Sequence, residues 1–173
     1  MGSRDKEQES AFGGALRAMI SPRECPSVLL DFGCGSGRFT PLLSSLCDRY
    51  IGVDISSNGL SFAATPENGV FKHLEEDRIP LDDQSVDMVV AVTVFQHIVS
   101  DKDFDLWTKE IVRVLKPGMT GSAVVIDEMP KKGVSRPQHM KPRYPLEIAR
   151  ALHRGIELYA ALNHTEHWVA RIS

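Results

Sequence analysis

The hydrophobic positions of this 173-residue chain fall into two rhythms, and their alternation predicts the fold class before any motif is considered. Short apolar runs bounded by turn formers read as buried strands: Val28 to Leu30, Tyr50 to Asp54, Val70 to Leu74, Met88 to Val94 and Ser122 to Ile126. Between them the spacing changes to three and four. Phe39, Leu42, Leu43 and Leu46 make one helical face, and Phe104, Trp107, Ile111 and Leu115 make another that stops at Lys116-Pro117-Gly118. Phe12, Leu16, Met19 and Ile20 mark a weaker helix over 11–20, preceded by a charged segment, 1–10, that lacks periodicity and is expected to fray. Residues 58–64 make a short helix at best. Pro145 opens a helix with Leu146, Ala149 and Leu152 on one face. Alternation then returns in Ile156, Leu158, Ala160 and Leu162, and after Asn163-His164-Thr165 a last strand, His167 to Ile172, is expected to fold back on it as a hairpin. Strands alternating with helices predict one α/β domain spanning 1–173.

The first strand runs straight into a turn, Asp31-Phe32-Gly33-Cys34-Gly35-Ser36-Gly37-Arg38. Three alternating glycines let the backbone take positive φ and come close to a ligand. The amides at the start of the following helix would then face whatever lies over the glycines, a place for a carboxylate or phosphate. A dinucleotide fingerprint, G-x-G-x-x-G, needs glycine at position 38, where Arg38 stands. The next strand ends in Asp54, about twenty residues further on, where an acid meets ribose hydroxyls in a βαβ unit. The alternative for Asp54 is a helix N-cap.

Asp31-x-Gly33-x-Gly35-x-Gly37 resembles the first motif of the class I S-adenosylmethionine-dependent methyltransferases, and Glu110 to Gly118 is similar to the segment before their fifth strand, with Met119 where a second glycine is usual. The resemblance covers residues 28–172. It implies a single Rossmann-like, doubly wound sheet, mostly parallel with an antiparallel C-terminal strand. It also implies S-adenosylmethionine as cofactor, with S-adenosylhomocysteine as product. Asp31 would lie near the ligand's amino group; Gly33, Cys34, Gly35 and Gly37 would pass under its methionine part and ribose; Asp54 and Ile55 would meet the ribose. Aligned on Pro80 and Asp87, Glu75 with its neighbour Glu76 falls at the adenine, Asp77 being the alternative. Thr93, near the end of the fourth strand, would also contact the cofactor, and His97 beyond it, where the acceptor approaches, is the candidate general base, or else a packing residue. The Asn-Pro-Pro-Tyr tetrapeptide of enzymes that methylate nucleic-acid bases is absent, which disfavours that chemistry.

Composition adds bounds. Hydrophobic residues at 42% and charged residues at 25% are ordinary for a soluble globular protein. A net charge of −3 excludes a surface that is wholly a nucleic-acid footprint. Cys25, Cys34 and Cys47 are odd in number and lack metal-ligand spacing, so reduced thiols, a cytoplasmic location and no metal site are expected. The longest apolar stretch, Met88 to Phe95, is far below the roughly 20 residues of a membrane span. Met129 to Tyr144 carries Lys131, Lys132, Arg136, Lys141 and Arg143 with no acid and three prolines, an insertion-like basic loop. It is either a solvated connection or a grip on an anionic acceptor through Arg143, Tyr144 and His139. The expected function is methyl transfer to a small, anionic acceptor. The alternatives are a non-catalytic cofactor-binding subunit completed by a partner or a second copy, which the short leader before the first strand suits, and a nicotinamide-dependent oxidoreductase, which Arg38 disfavours.

Overall fold

The apolar runs pair into a single sheet. The computed structural model describes residues 3–20, 25–75, 77–117, 121–129, 137–162 and 166–173. Its strands are β1 (Val28–Phe32), β2 (Arg49–Asp54), β3 (Gly69–His73), β4 (Met88–Val92), β5 (Ser122–Glu128), β6 (Ile156–Ala161) and β7 (His167–Ile172). The helices are α1 (Ser3–Met19), α2 (Thr40–Ser44), α3 (Ser57–Ser61), α4 (Asp101–Val114) and α5 (Pro145–Ala151). Strand order is β3-β2-β1-β4-β5-β7-β6. The first five strands are parallel, and β7 runs antiparallel between β5 and β6. This is the expected mostly parallel sheet with an antiparallel closing strand. Because β1 neighbours both β2 and β4, the direction of winding reverses there, and a crevice opens beyond the carboxyl ends of β1 and β4.

Both faces are covered, which is why the central strands read as unbroken apolar runs. Leu29, Val90, Val124 and Ile126 pack under Phe12, Leu16 and Met19 of α1 and Leu43 of α2. Leu30, Phe32, Val89, Ala91 and Val125 pack under Phe104, Ile111 and Val114 of α4 and Ile148 and Ala149 of α5. Each fully buried large aliphatic or aromatic side chain contributes roughly 1.5–3 kcal/mol. Helix α4 is capped by Ser100, whose hydroxyl accepts from Asp103 N at 3.3 Å, and carries Asp101 and Asp103 in its first turn, where the dipole favours acids.

Two boundaries and one buried stripe differ from the sequence pattern. Helix α1 begins at Ser3, so the charged segment continues the helix anchored by Phe12; its Lys, Glu and Gln residues are good helix formers once a packed turn follows. Strand β4 stops at Val92 because Thr93 takes φ 57, the left-handed region, while its N–H donates to Ile126 O at 2.6 Å. In α5, Ile148, Ala149 and Leu152 face the core and Leu146 is half exposed, so the buried stripe is rotated from the predicted one.

Candidate functional site

Gly33, Gly35 and Gly37 hold φ values of 75, 56 and 78 at the β1–α2 turn. Two of them lack a side chain for different reasons. A Cβ on Gly33 would lie 2.5 Å from Val94 Cγ2, whereas one on Gly35 would meet nothing within 4 Å. The turn's amides are not free as expected. Gly33 and Cys34 both donate to Val53 O (2.8 and 3.1 Å), Gly35 donates to Asp54 Oδ2 at 2.7 Å, and Gly37 donates to Cys34 O at 3.0 Å. The turn lies against the end of β2, so the Gly33, Cys34, Gly35 and Gly37 donors are satisfied before α2, only five residues long, begins. What the turn offers a ligand is room, not an array of anion-binding amides.

The charges around that room are mainly acidic. Asp31 is buried at the end of β1 and accepts from Tyr50 Oη at 2.7 Å, and Tyr50 in turn shares a hydrogen bond of 2.9 Å with Thr40 Oγ1. Burial pushes the Asp31 carboxyl up to about 7, against the lowering effect of the Tyr50 hydrogen bond. Asp54 uses one oxygen on Gly35 and the other on Ser56 N at 2.8 Å. The cap of α3 is Ser56, whose hydroxyl accepts from Gly59 N, and not Asp54. Cys34 places its Sγ 3.0 Å from where a Gly52 Cβ would stand; burial, then Asp31 and Asp54, push its thiol well above the usual range.

Two hollows meet over the turn, sharing Gly33 and Thr93. One, about 300 Å³, is lined by Asp31, Cys34, Gly35 and Arg38, whose guanidinium lies 4.6 Å over the Phe39 ring. The other, about 230 Å³ and mostly apolar, is lined by Phe32, Asp54, Ile55, Leu74, Val94, His97, Ile98 and Trp107. A larger open groove of about 840 Å³ lies at the other end of the strands, between Gln84, Pro117, Arg150, His153 and Ser173, and touches none of the predicted site residues.

Of the residues singled out from sequence, Asp31, Gly33, Cys34, Gly35, Asp54, Ile55, Thr93 and His97 line the paired hollows. Gly37 shapes the turn instead, its missing Cβ standing 3.0 Å from Thr40 Oγ1. Glu75 is exposed beside His73 at 3.5 Å, and Leu74 takes its place on the cavity wall. Glu76, Lys131, Lys132 and Arg136 lie outside the described residues. Sequence reasoning missed Arg38, considered only as an absent glycine, and Trp107, assigned wholly to the core; Trp107 also packs on Phe32 with ring centroids 5.7 Å apart. Among the described residues no group of three or more His, Cys, Asp or Glu is placed to hold a metal ion, and no helix is long and apolar enough to cross a membrane.

The basic loop departs furthest from expectation. Arg143 is 2% exposed, pairs with Glu147 at 2.5 Å and Asp101 at 3.0 Å, and lies 3.8 Å over the Phe104 ring. Lys141 also pairs with Asp101, at 2.5 Å. These cations are matched by acids of α4 and α5, and Arg143, which lines neither hollow, clamps the loop to the two helices. Tyr144 is half exposed at the start of α5, and His139 is exposed with its ring parallel to that of His97 at 6.2 Å. Behind His97, Gln96 is buried: its N–H donates to Asp127 Oδ2 at 3.0 Å, its Oε1 accepts from Glu128 N at 3.0 Å, and its carbonyl accepts from Lys141 N at 2.6 Å. Burial pushes the Asp127 carboxyl up to about 7.

Residues 30–121 match the family model described as a methyltransferase domain. A probable S-adenosylmethionine-dependent methyltransferase of Mycolicibacterium smegmatis is 32% identical over 91 residues, 52% of this chain and 34% of that protein. The chain thus spans about a third of the length of such curated relatives. In the structure of a DhpI–SAH complex the fold matches with a TM-score of 0.73 at 20% identity, over 97% of this chain and 84% of that one. A methyltransferase in complex with the Haloferax volcanii Trm112 activator matches with a TM-score of 0.72 at 18% identity, over 98% and 92%.

Proposed function

The chain belongs to the S-adenosylmethionine-dependent methyltransferase family, and from that premise we propose that it binds S-adenosylmethionine across the two hollows and transfers the methyl group to a small acceptor entering beside His97. The observation that carries the reading is the open space over Gly35, at positive φ, between the carboxylates of Asp31 and Asp54. Turn amides already spent on Val53 and Asp54 are poorly suited to a pyrophosphate, and two acids suit a ligand bearing an ammonium and a sulfonium.

Asp31 would receive the ammonium and Arg38, on the same wall, the carboxylate of the methionine part; Asp54 has lone pairs left for ribose hydroxyls after serving Gly35 and Ser56; Ile55, Leu74, Val94 and Trp107 give an apolar wall for the base. The bound cofactor supplies an electrophilic methyl carbon on sulfur. The protein's task is then alignment of the acceptor, an effect worth on the order of 7–11 kcal/mol where two reactants are held in line. The Trm112 complex of a fold neighbour makes a partner subunit the second arm of the test.

The test is calorimetry with S-adenosylhomocysteine and with nicotinamide dinucleotide on the parent and on Gly35→Val. Binding of the first ligand alone, lost in the variant, is the expected result. Equal binding by the variant would remove the turn from the site, and dinucleotide binding would overturn the reading. Activity on an acceptor panel, with and without cell extract, separates a self-sufficient enzyme from one that needs a partner.

A further inference from the structure

Gln96 is a buried amide wedged between the end of β5 and the ring of His97, and its two ends cannot be exchanged. Its side-chain oxygen faces Glu128 N, which can only donate, at 3.0 Å. Its Nε2, which can also only donate, therefore faces His97 Nε2, at 3.4 Å. The backbone fixes the wedge: Gln96 N is held by Asp127 Oδ2 and Gln96 O by Lys141 N. An amide N–H directed at His97 Nε2 requires a lone pair there, so in the neutral ring the proton resides on Nδ1. Free histidine favours the opposite tautomer.

We propose that Gln96 is a positioning residue that holds His97 in its Nδ1–H form, so that His97 meets the acceptor as a hydrogen-bond donor and the acceptor is a carboxylate. This rests on the methyltransferase reading above. With Nε2 engaged by Gln96 and Nδ1 already protonated, the neutral ring has no lone pair with which to deprotonate an alcohol or an ammonium. A carboxylate needs no deprotonation. Its oxygen forms the new bond to the methyl carbon with a lone pair it already holds, the C–S bond breaks with its electron pair passing to sulfur, and the negative charge of the acid and the positive charge of the sulfonium disappear together. An N–H donor beside the cavity suits one oxygen of such an acid while the other is alkylated. Ile98, apolar and beside His97 in the same hollow, accommodates a hydrocarbon portion of the acceptor.

Long-range ¹H–¹⁵N correlation spectra of the labelled full chain with S-adenosylhomocysteine, at about pH 8.5 where histidine side chains are neutral, read the tautomer without any acceptor. His97 is expected to show a protonated Nδ1 and a bare Nε2. Gln96→Glu, which keeps the shape and offers Nε2 an oxygen, should switch it to the Nε2–H form, and Gln96→Leu should release it to the same form. An Nε2–H ring in the parent, or no change in Gln96→Glu, overturns the tautomer assignment whether or not the protein is a methyltransferase. The second arm supplies labelled S-adenosylmethionine with a panel of short and medium-chain carboxylates and the matching alcohols and amines. Expected is turnover confined to the acids, with label released by base as volatile methanol, and a several-fold rise in acceptor KM in Gln96→Glu with kcat little changed. Turnover of an alcohol or amine, or of none of the acids, overturns the acceptor class. Loss of S-adenosylhomocysteine binding, measured separately, would instead bring down the underlying reading.

Discussion

Asp54 Oδ2 accepts the Gly35 N–H at 2.7 Å, so the carboxylate at the end of β2 also holds the middle of the glycine turn that follows β1. A residue placed to meet ribose hydroxyls is therefore part of the cradle itself. Asp54→Ala is expected to weaken S-adenosylhomocysteine by roughly 1.5–3 kcal/mol, the range for a hydrogen bond to a charged group. It should also lower the melting temperature of the ligand-free protein, because Gly35 N is left without its acceptor. Calorimetry together with thermal denaturation checks both. Lost affinity with an unchanged melting temperature would mean that the turn holds itself without Asp54.

The contrast between Gly33 and Gly35 gives a second prediction. Both sit at positive φ, so alanine at either costs about 1–3 kcal/mol in backbone strain. At Gly33 the new methyl group must also displace Val94, 2.5 Å away, whereas at Gly35 it enters open space. Chemical denaturation should show Gly33→Ala to be the less stable variant, and Val94→Ala in the same chain should restore part of the loss. Titration with S-adenosylhomocysteine should show Gly35→Ala as mainly a binding defect.

Asp31 and Asp127 are both buried acids raised to about 7. In the unfolded chain each would titrate near ~4. Between about pH 4 and 7 the folded protein therefore holds more protons than the unfolded one, and stability falls as pH rises across that window and levels off above it. Urea melts at a series of pH values should show this decline, and Asp127→Asn should make it shallower. Cofactor affinity should run the other way for Asp31. An ammonium prefers the ionised carboxylate, so S-adenosylhomocysteine should bind more tightly as pH rises through 7, and Asp31→Asn should remove that dependence.

Arg143→Ala is expected to act on stability and not on acceptor recognition. The stacking on Phe104 alone accounts for about 2 kcal/mol when desolvated, and the clamp to Asp101 and Glu147 goes with it. S-adenosylhomocysteine affinity and acceptor KM should stay near the parent's values, with the midpoint of urea denaturation lowered. A KM rise that shrinks with added salt, at unchanged stability, would restore Arg143 to the role first read from its loop.

The sheet and its order of elements were legible because hydrophobic period reports burial directly: Met88 to Val92 is apolar throughout since both faces are covered, whereas in the hairpin the period was a poorer guide, β7 being buried continuously over Trp168 to Ala170 and the described residues of the edge strand β6 exposed. The cradle was legible through Asp31, the glycines and Asp54, whose spacing is set by one βαβ unit. Pairings between distant segments were not. The acids that neutralise Lys141 and Arg143 lie on α4 and α5, so a count of charges within the loop made these cations look available. Trp107 fits a core stripe and a cavity wall equally well by spacing, and only the three-dimensional proximity of Phe32 and the hollow distinguishes them. The amides of Gly33, Cys34 and Gly35 looked free because their acceptors, Val53 O and the Asp54 carboxylate, come from the next strand.

Helix α1 docks against strands formed late in the chain: Phe12 packs edge-on to His167 at 4.9 Å, and Arg171 Nη1 donates to Met19 O at 3.3 Å, 152 residues away in sequence. Strand β7 meanwhile occupies an inner position, leaving β5 with an open edge until it inserts. Helix α1 therefore waits for β7, far along the chain, before its apolar face is fully covered. Such long loops make folding slow relative to a chain of the same stability with local contacts. Until β7 adds to the sheet, part of the apolar face of α1 and one edge of β5 are surfaces a chaperone would meet, and the pairing of β7 covers both.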